Sequence, residues 1–311
     1  MTTLTQVMRL RRTRTAAPKV REPFSDRVFM IVVKLMLAIL LALVVMPLIY
    51  IVASSFSSPA AVNSGQVKFW PVEFSIEAYQ SVLTNAEVLR GYYNSLIYAI
   101  AGTLISVTLT VAIAYPLSRR TFYGRNVLMT LLIFTMLFSG GLIPTYMVVH
   151  DLGMLDTRWA LLIPNAIGVW QVIIARTFFA NSVPEELYEA AALDGASELR
   201  TLRSVVLPLS KPLLAVLALM YTIYQWNTYF DALVYLKDPD LYPLQIVLRN
   251  MLLLNTARTG AVDLAQQMHQ LQLANVLKYA LIVVSSLPVL IIYPFVARHF
   301  TKGVMVGAVK G

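Results

Sequence analysis

The sequence predicts an all-α membrane protein of about six transmembrane helices, with both termini cytoplasmic. Three observations predict it. Hydrophobic residues make up 58% of the 311 residues and charged residues only 13%, about half the charge of a soluble domain. Mean hydropathy is accordingly high, at +0.68. Runs of about 20 apolar residues recur along the chain, each long enough to cross a bilayer. Lys and Arg gather in alternate connections between those runs, which sets the orientation. The chain has no cysteine, so disulfides, thiolate chemistry and cysteine metal sites are excluded.

The elements follow in order. A basic cytoplasmic tail, residues 1–27, carries Arg9, Arg11, Arg12, Arg14, Lys19, Arg21 and Arg27. The first run, 28–53, is too long for the apolar core of a signal peptide and reads as an uncleaved span. Lys34 near its start reaches the interface by snorkelling. Residues 54–94 contain Pro59, Trp70, Pro71 and Ser75-Ile-Glu-Ala-Tyr79, an external loop followed by a short amphipathic helix along the membrane. The remaining spans are read at 95–117, 127–149, 160–179, 213–236 and 274–296. Arg119, Arg120 and Arg125 lie in one cytoplasmic connection, Arg200, Arg203 and Lys211 in the next, and Arg298, Lys302 and Lys310 in the C-terminal tail. The opposite side holds Lys68 and Arg90, then Arg158, then Lys237, Arg249 and Arg258. Residues 237–273 form a second long external segment with Pro239 and Pro243. The net charge of +9 is therefore topological. Its spread over several loops, without one basic patch, argues against nucleic acid as a partner.

The connection at 182–212 stands out because it looks soluble. It contains Glu189-Ala-Ala-Ala-Leu-Asp-Gly-Ala-Ser-Glu-Leu-Arg200 and ends Leu207-Pro208-Leu-Ser-Lys-Pro212. The spacing predicts a helix from Glu185, with Ser182 capping it, Glu185 reaching back and Pro184 in the first turn. Gly195 takes the left-handed conformation that ends it. A second helix runs over 196–207, with Leu199, Leu202 and Val206 on one stripe and Arg200 and Arg203 on another. Pro208 and Pro212 close it. Two readings fit: an interfacial helix pair that caps the bundle, or a docking element for a soluble cytoplasmic partner.

Glu189-Ala190-Ala191, Asp194-Gly195 and Leu207-Pro208, at these spacings, resemble the EAA motif of the permease subunits of binding-protein-dependent ABC importers. Ala192 and Leu193 fit the carbohydrate version of that motif. Ser54-Phe-Ser-Ser-Pro, Tyr92-Tyr-Asn-Ser95, Ser139-Gly-Gly-Leu-Ile-Pro-Thr-Tyr146, Leu152-Gly-Met-Leu-Asp156 and Lys302-Gly-Val-Met-Val-Gly-Ala-Val-Lys310-Gly311 extend the likeness to maltose-permease-like sugar importers. The branch most similar handles polygalacturonan and other complex oligosaccharides. The likeness covers nearly everything after residue 28; the basic tail departs from it. It implies the type I importer permease fold, half of a pathway completed by a second homologous permease. It also implies two ATPase subunits and an extracytoplasmic sugar-binding protein, in a bacterial cell membrane. In that scheme Glu185 and Glu189 make polar contacts in an ATPase groove. Ala190 and Ala191 allow close approach, and Asp194, Gly195, Leu207 and Pro208 shape the turn and exit. ATP and Mg belong to the ATPase. No GxxxxGK[ST] phosphate loop occurs in the chain, and no cofactor or metal is expected on it.

Polar residues inside a span are functional candidates. The fifth span carries Tyr221, Tyr224, Gln225, Asn227, Thr228 and Asp231. Gln225 lies about 14 residues beyond Lys211, roughly 21 Å along a helix. On a continuous helix Tyr224, Asn227 or Thr228, and Asp231 share one face. Such a face either meets sugar hydroxyls or packs on a neighbouring span through hydrogen bonds. Trp170 and Gln171 in the fourth span are open to the same two readings. His150, His269 and His299 have no metal-ligand spacing. The alternatives are a permease for a non-sugar solute, a secondary transporter and an intramembrane enzyme. The last two require midplane carboxylates in an internal repeat, or a catalytic cluster in a span, and neither pattern is present.

Overall fold

The computed structural model describes residues 24–254, 272–273, 275–292 and 294. Residues 1–23 of the basic tail, Arg258, His269, Arg298, His299, Lys302 and Lys310 lie outside them. The chain divides into two units, Met1–Ile49 and Tyr50–Gly311. The described part of the first is most of α1 (Phe24–Ser55), which is apolar on every side and exposed. A helix of that kind has no water-facing stripe and suits a lipid setting.

The second unit begins with the last turn of α1. Ser57 Oγ donates to the Ala53 carbonyl (2.7 Å) and accepts from Val72 N–H (3.0 Å). Ser58 caps α2 (Pro59–Asn63). Phe56 stacks on Phe74 and on Tyr79 of α3 (Glu77–Thr84), and the Tyr79 hydroxyl meets Ser55 Oγ at 2.8 Å. The Ser54–Pro59 motif is thus a folded corner between helices.

Helix α4 (Ala86–Ser118) organises this unit. Asn85 caps it by accepting from Glu87 and Val88 N–H. Its inner face is small and polar: Gly91, Asn94, Ser95, Gly102, Thr103, Ser106 and Thr110. Small residues let helices approach closely, and hydroxyls bond across the contact. α8 (Val169–Ser182), α12 (Lys211–Trp226) and α14 (Leu244–Leu254) pack on it. Thr103 Oγ meets Thr222 Oγ at 3.0 Å, and Thr110 Oγ meets the Tyr221 hydroxyl at 2.6 Å. The Tyr221 hydroxyl also accepts from Gly168 N–H.

Three expected spans are broken. Residues 127–149 form α5 (Arg125–Leu137) and α6 (Leu142–Asp151), which meet at 114°. Two adjacent glycines cause the break: Gly141 has a φ of +83°, and Ser139 Oγ accepts its N–H. Residues 160–179 form α7 (Trp159–Leu162) and α8, separated by Pro164 and Gly168. Residues 213–236 form α12 and α13 (Phe230–Tyr235), interrupted at 227–229. Between them the 182–212 connection holds α9 (Glu185–Leu193), α10 (Glu198–Thr201) and, after a π turn over Leu202–Val206, α11 (Leu207–Leu209). α15 (Asn275–Ile292) is the last described helix. Among the described residues, three helices are long and apolar enough to cross a membrane, or up to five spans if each sharply bent pair counts as one.

The motifs at the end of α4 remote from the 182–212 connection form a latch. Asn94 is buried; its Nδ2 donates to the Asp240 and Tyr242 carbonyls (2.7 and 3.1 Å) and its Oδ1 accepts from Arg158. Tyr98 donates to the Leu241 carbonyl, and Ser95 Oγ accepts from Leu244 N–H. Asp156 accepts from Lys237 and Asp238 N–H, each at 2.8 Å. Those two amides, with Asp238's the stronger influence, hold its carboxyl below the usual carboxylate range.

A Cβ on Gly91 would lie 2.8 Å from Val247 and 3.2 Å from the Leu244 backbone. Gly91→Leu therefore pushes α14 off α4 and costs about 1–3 kcal/mol, read as a lower unfolding temperature of the purified protein. For Asp156, folding lowers the pKa, so its stabilisation is complete above the ordinary value of 3.8 and fades as pH falls through the lower folded value. Hydrogen exchange at the Lys237 and Asp238 amides should accelerate in Asp156→Ala at neutral pH, and the gap from wild type should close below that range.

Candidate functional site

The 182–212 connection begins differently from the expected capping box. Ser182 is the last residue of α8, and α9 starts after Pro184 without a side-chain cap. Pro184 itself is extended (ψ 143°), which fixes the entry without needing a donor. The exit matches the expectation. Gly195 has a φ of +70°, its N–H donates to the Ala192 carbonyl, and Ala196 N–H donates to the Ala191 carbonyl. These paired bonds are a Schellman motif. Ser197 then caps α10 through Arg200 N–H.

The expected single second helix is not uniform. Leu207 N–H bonds to the Leu202 carbonyl, five residues back. In a regular helix the Pro208 ring would press on the carbonyl four residues earlier, and the wider π turn relieves that clash. The chain then bends by 84° into α12.

Tyr188 and Ala191 face inward and are buried. Glu185, Glu189, Ala190, Leu193 and Asp194 form the exposed face, with Leu193 90% exposed. Beneath, Arg119 at the end of α4 lies over the Tyr188 ring, 3.4 Å from its centroid, and 3.6 Å from Glu185. Burial pushes the Tyr188 phenol above its usual pKa, and Arg119 pulls the other way. The Tyr115 hydroxyl donates to Glu198 Oε2 at 2.6 Å. A cavity of about 480 Å³ lies between α4 and α10, lined by Tyr115, Arg119, Phe122, Glu198, Leu199 and Leu202 among others.

The other candidates separate. Asp231 Oδ2 accepts from Tyr224 (3.3 Å) and from Asn165 Nδ2 (2.9 Å). They meet although the helix ends at Trp226, so the expected continuous face does not exist. Asn227 is exposed and bonds back to the Ile223 carbonyl; Thr228 is buried on the Tyr224 carbonyl. Gln225 is 1% exposed, faces Gly102, and neither its Nε2 nor its Oε1 has a partner. Gln171 sits half-buried against Gly168. His150 is exposed beside Asp151, and among the described residues no group of three metal-binding side chains forms.

The sequence matches the family described as the binding-protein-dependent transport system inner membrane component, over residues 14–306. The chain belongs to this family. Protein LplC of Bacillus subtilis (strain 168) is 41% identical over 270 residues, covering 87% of this chain and 90% of that protein. The polygalacturonan/rhamnogalacturonan transport system permease protein YtcP of the same organism is 38% identical, covering 92% of this chain and 100% of that protein. A crystal structure of a bacterial ABC transporter involved in the import of the acidic polysaccharide alginate contains a similar chain. It aligns with a TM-score of 0.81 at 35% identity, covering 90% of this chain and 99% of that one.

This chain is therefore a permease subunit, and ATP hydrolysis belongs to a separate subunit. The contacts of three of the permease's polar residues escaped sequence reasoning. Asn165 was hidden inside an assumed span, though Pro164 beside it marks a helix break. Asn94 and Arg119 looked like the margins of a span, and only the fold shows what they hold.

The left-handed backbone at Gly195 supplies a prediction. Gly195→Val should destabilise the permease's α9–α10 turn by about 1–2 kcal/mol, the penalty of a side chain at positive φ. Asn tolerates that conformation, so Gly195→Asn should lose less. Proteolysis rates of the connection in the purified protein would rank the three.

Proposed function

We propose that this permease forms half of the pathway of an ATP-driven oligosaccharide importer in a bacterial inner membrane. Its 1–27 tail and C-terminus lie in the cytoplasm, six crossings make up residues 28–311, and residues 182–212 dock an ATPase subunit. A second, homologous permease completes the pathway, and an extracytoplasmic binding protein delivers the sugar. ATP and Mg sit on the ATPases. One observation carries the docking reading: α9 presents an exposed face of Glu189, Ala190, Leu193 and Asp194, while Glu185 and Tyr188 hold its other face to Arg119 at the end of α4. Leu193, 90% exposed, adds apolar area to a face otherwise made of carboxylates and a small alanine. Gly195, Leu207 and Pro208 set the angle at which that face is offered.

The substrate reading is an acidic oligosaccharide of the uronate type. It rests on YtcP and on the alginate importer, whose substrates are acidic polymers by name. The candidate contacts are Tyr224, Asn227 and Asp231, with Gln171, Gln225 and Thr228 supporting them. A second reading, a neutral oligosaccharide, is favoured by the Asn165–Tyr224–Asp231 cluster, which offers hydroxyl-binding groups and a carboxylate but no cation.

Purification from the native membrane in mild detergent should recover a second permease and a phosphate-loop ATPase with wild type, and lose the ATPase with Gly195→Val. Recovery of this chain alone would defeat the docking reading. In proteoliposomes with the binding protein, ATP should drive accumulation of a labelled galacturonate trimer about tenfold above a neutral galacto-oligosaccharide of equal length. The reverse preference would select the neutral reading.

A further inference from the structure

The proposed docking face lies on α9, and α9 runs through α10 and α11 into α12. Force applied to this face would reach α12 along the chain. It must also reach α4, on which α8, α12 and α14 pack, if the bundle is to move as a body. α4 ends at Ser118, some 66 residues before α9 begins at Glu185, so apart from the packing of α12 on α4 its link to the docking element is through side-chain contacts.

Two side chains of α4's last turn and cap supply them. Arg119 reaches α9: its guanidinium carbon lies 3.4 Å from the centre of the Tyr188 ring, and a terminal nitrogen lies 3.6 Å from Glu185. Tyr115, one turn earlier on α4, reaches α10 through Glu198. Tyr115 in the last turn of α4 and Arg119 at its C-cap thus hold both halves of the turn, on either side of Gly195. The Arg119 side chain is only 13% exposed, although its partner Glu185 is 52% exposed, so the ring contact with buried Tyr188 is the firmer half of the anchor. The Tyr115 bond is short and has a charged acceptor, which makes it stronger than a neutral one. Tyr115 also packs edge-on to Phe179 of α8, so the same residue joins α4 to two other helices.

We propose that Arg119 and Tyr115 are positioning residues that transmit motion of the docked α9–α10 element to α4, making α4 a second lever beside α12. This rests on the docking reading of residues 182–212.

The test uses the complete importer, with ATPases, partner permease and binding protein, in nanodiscs. The chain has no cysteine of its own, so Ile167→Cys, at an exposed position between α7 and α8, reports on the membrane region without background in this chain. Its alkylation by N-ethylmaleimide is followed by mass spectrometry, with and without ATP and vanadate. Wild type bearing the reporter should change its alkylation rate about threefold or more on vanadate trapping. Arg119→Gln and, independently, the near-isosteric Tyr115→Phe should hold the ATPases in wild-type ratio and trap vanadate normally, yet lose most of that change. A merely structural role would not separate trapping from the membrane response. An undiminished change in both variants would overturn the proposal. So would an otherwise wild-type complex that traps vanadate without altering alkylation of the reporter thiol. Loss of the ATPases from Arg119→Gln alone would reassign Arg119 to docking and overturn its transmission role. Loss of the ATPases from wild type would defeat the docking reading, and this proposal with it.

Discussion

How closely α12 can lie against α4 governs most of what is described above. Gly102 has no side chain, and a Cβ there would sit 2.5 Å from the Gln225 amide. That absence lets Thr103 reach Thr222 and Thr110 reach Tyr221, so the contact is closed by hydroxyl pairs with little bulk between. Tyr221 then fixes Gly168 at the start of α8. One close approach thereby sets the position of a third helix, and with it the gap in which Asn165 meets Asp231.

The broken helices follow from the same economy. Backbone left unpaired in a bilayer is costly, so irregular segments survive only where protein satisfies them. The break before α8 is met by the Tyr221 hydroxyl. The break after α12 is met within the chain, where Thr228 N–H returns to the Gln225 carbonyl. Among the buried side chains, the Gln225 amide has neither its oxygen nor its nitrogen partnered in this arrangement. A buried amide without partners is a local cost of about 1–3 kcal/mol, so any rearrangement of α12 on α4 that satisfied it would be favoured by a similar amount.

The helical class was legible from composition and apolar runs, because those depend on solvent alone. Gly195 was legible because a left-handed residue leaves few choices of side chain. The breaks were not legible: Gly140-Gly141 and Pro164 sit within runs whose hydropathy stays high, and hydropathy is blind to direction. The Tyr224–Asp231 pair was reached through a continuous helix that the structure does not have. The two meet across the interruption at 227–229, between the end of α12 and the start of α13. The contacts of Asn94, Arg119 and Asn165 were missed because each residue acts on a segment far away in sequence, at separations that no local spacing encodes.

The latch around Asn94 differs in kind from the Arg119 anchor. Asn94, Ser95, Tyr98 and Asp156 all grip backbone groups of residues 237–244. A grip on carbonyls and amides is indifferent to which side chains the gripped segment bears, proline's missing donor aside. Permeases that share these four residues are therefore free to diversify the chemistry that this segment shows to its surroundings while keeping its path unchanged. The anchor on α9 has no such freedom, since Arg119 and Tyr115 reach for a ring and two carboxylates. One end of α4 is built to tolerate variation, and the other to resist it.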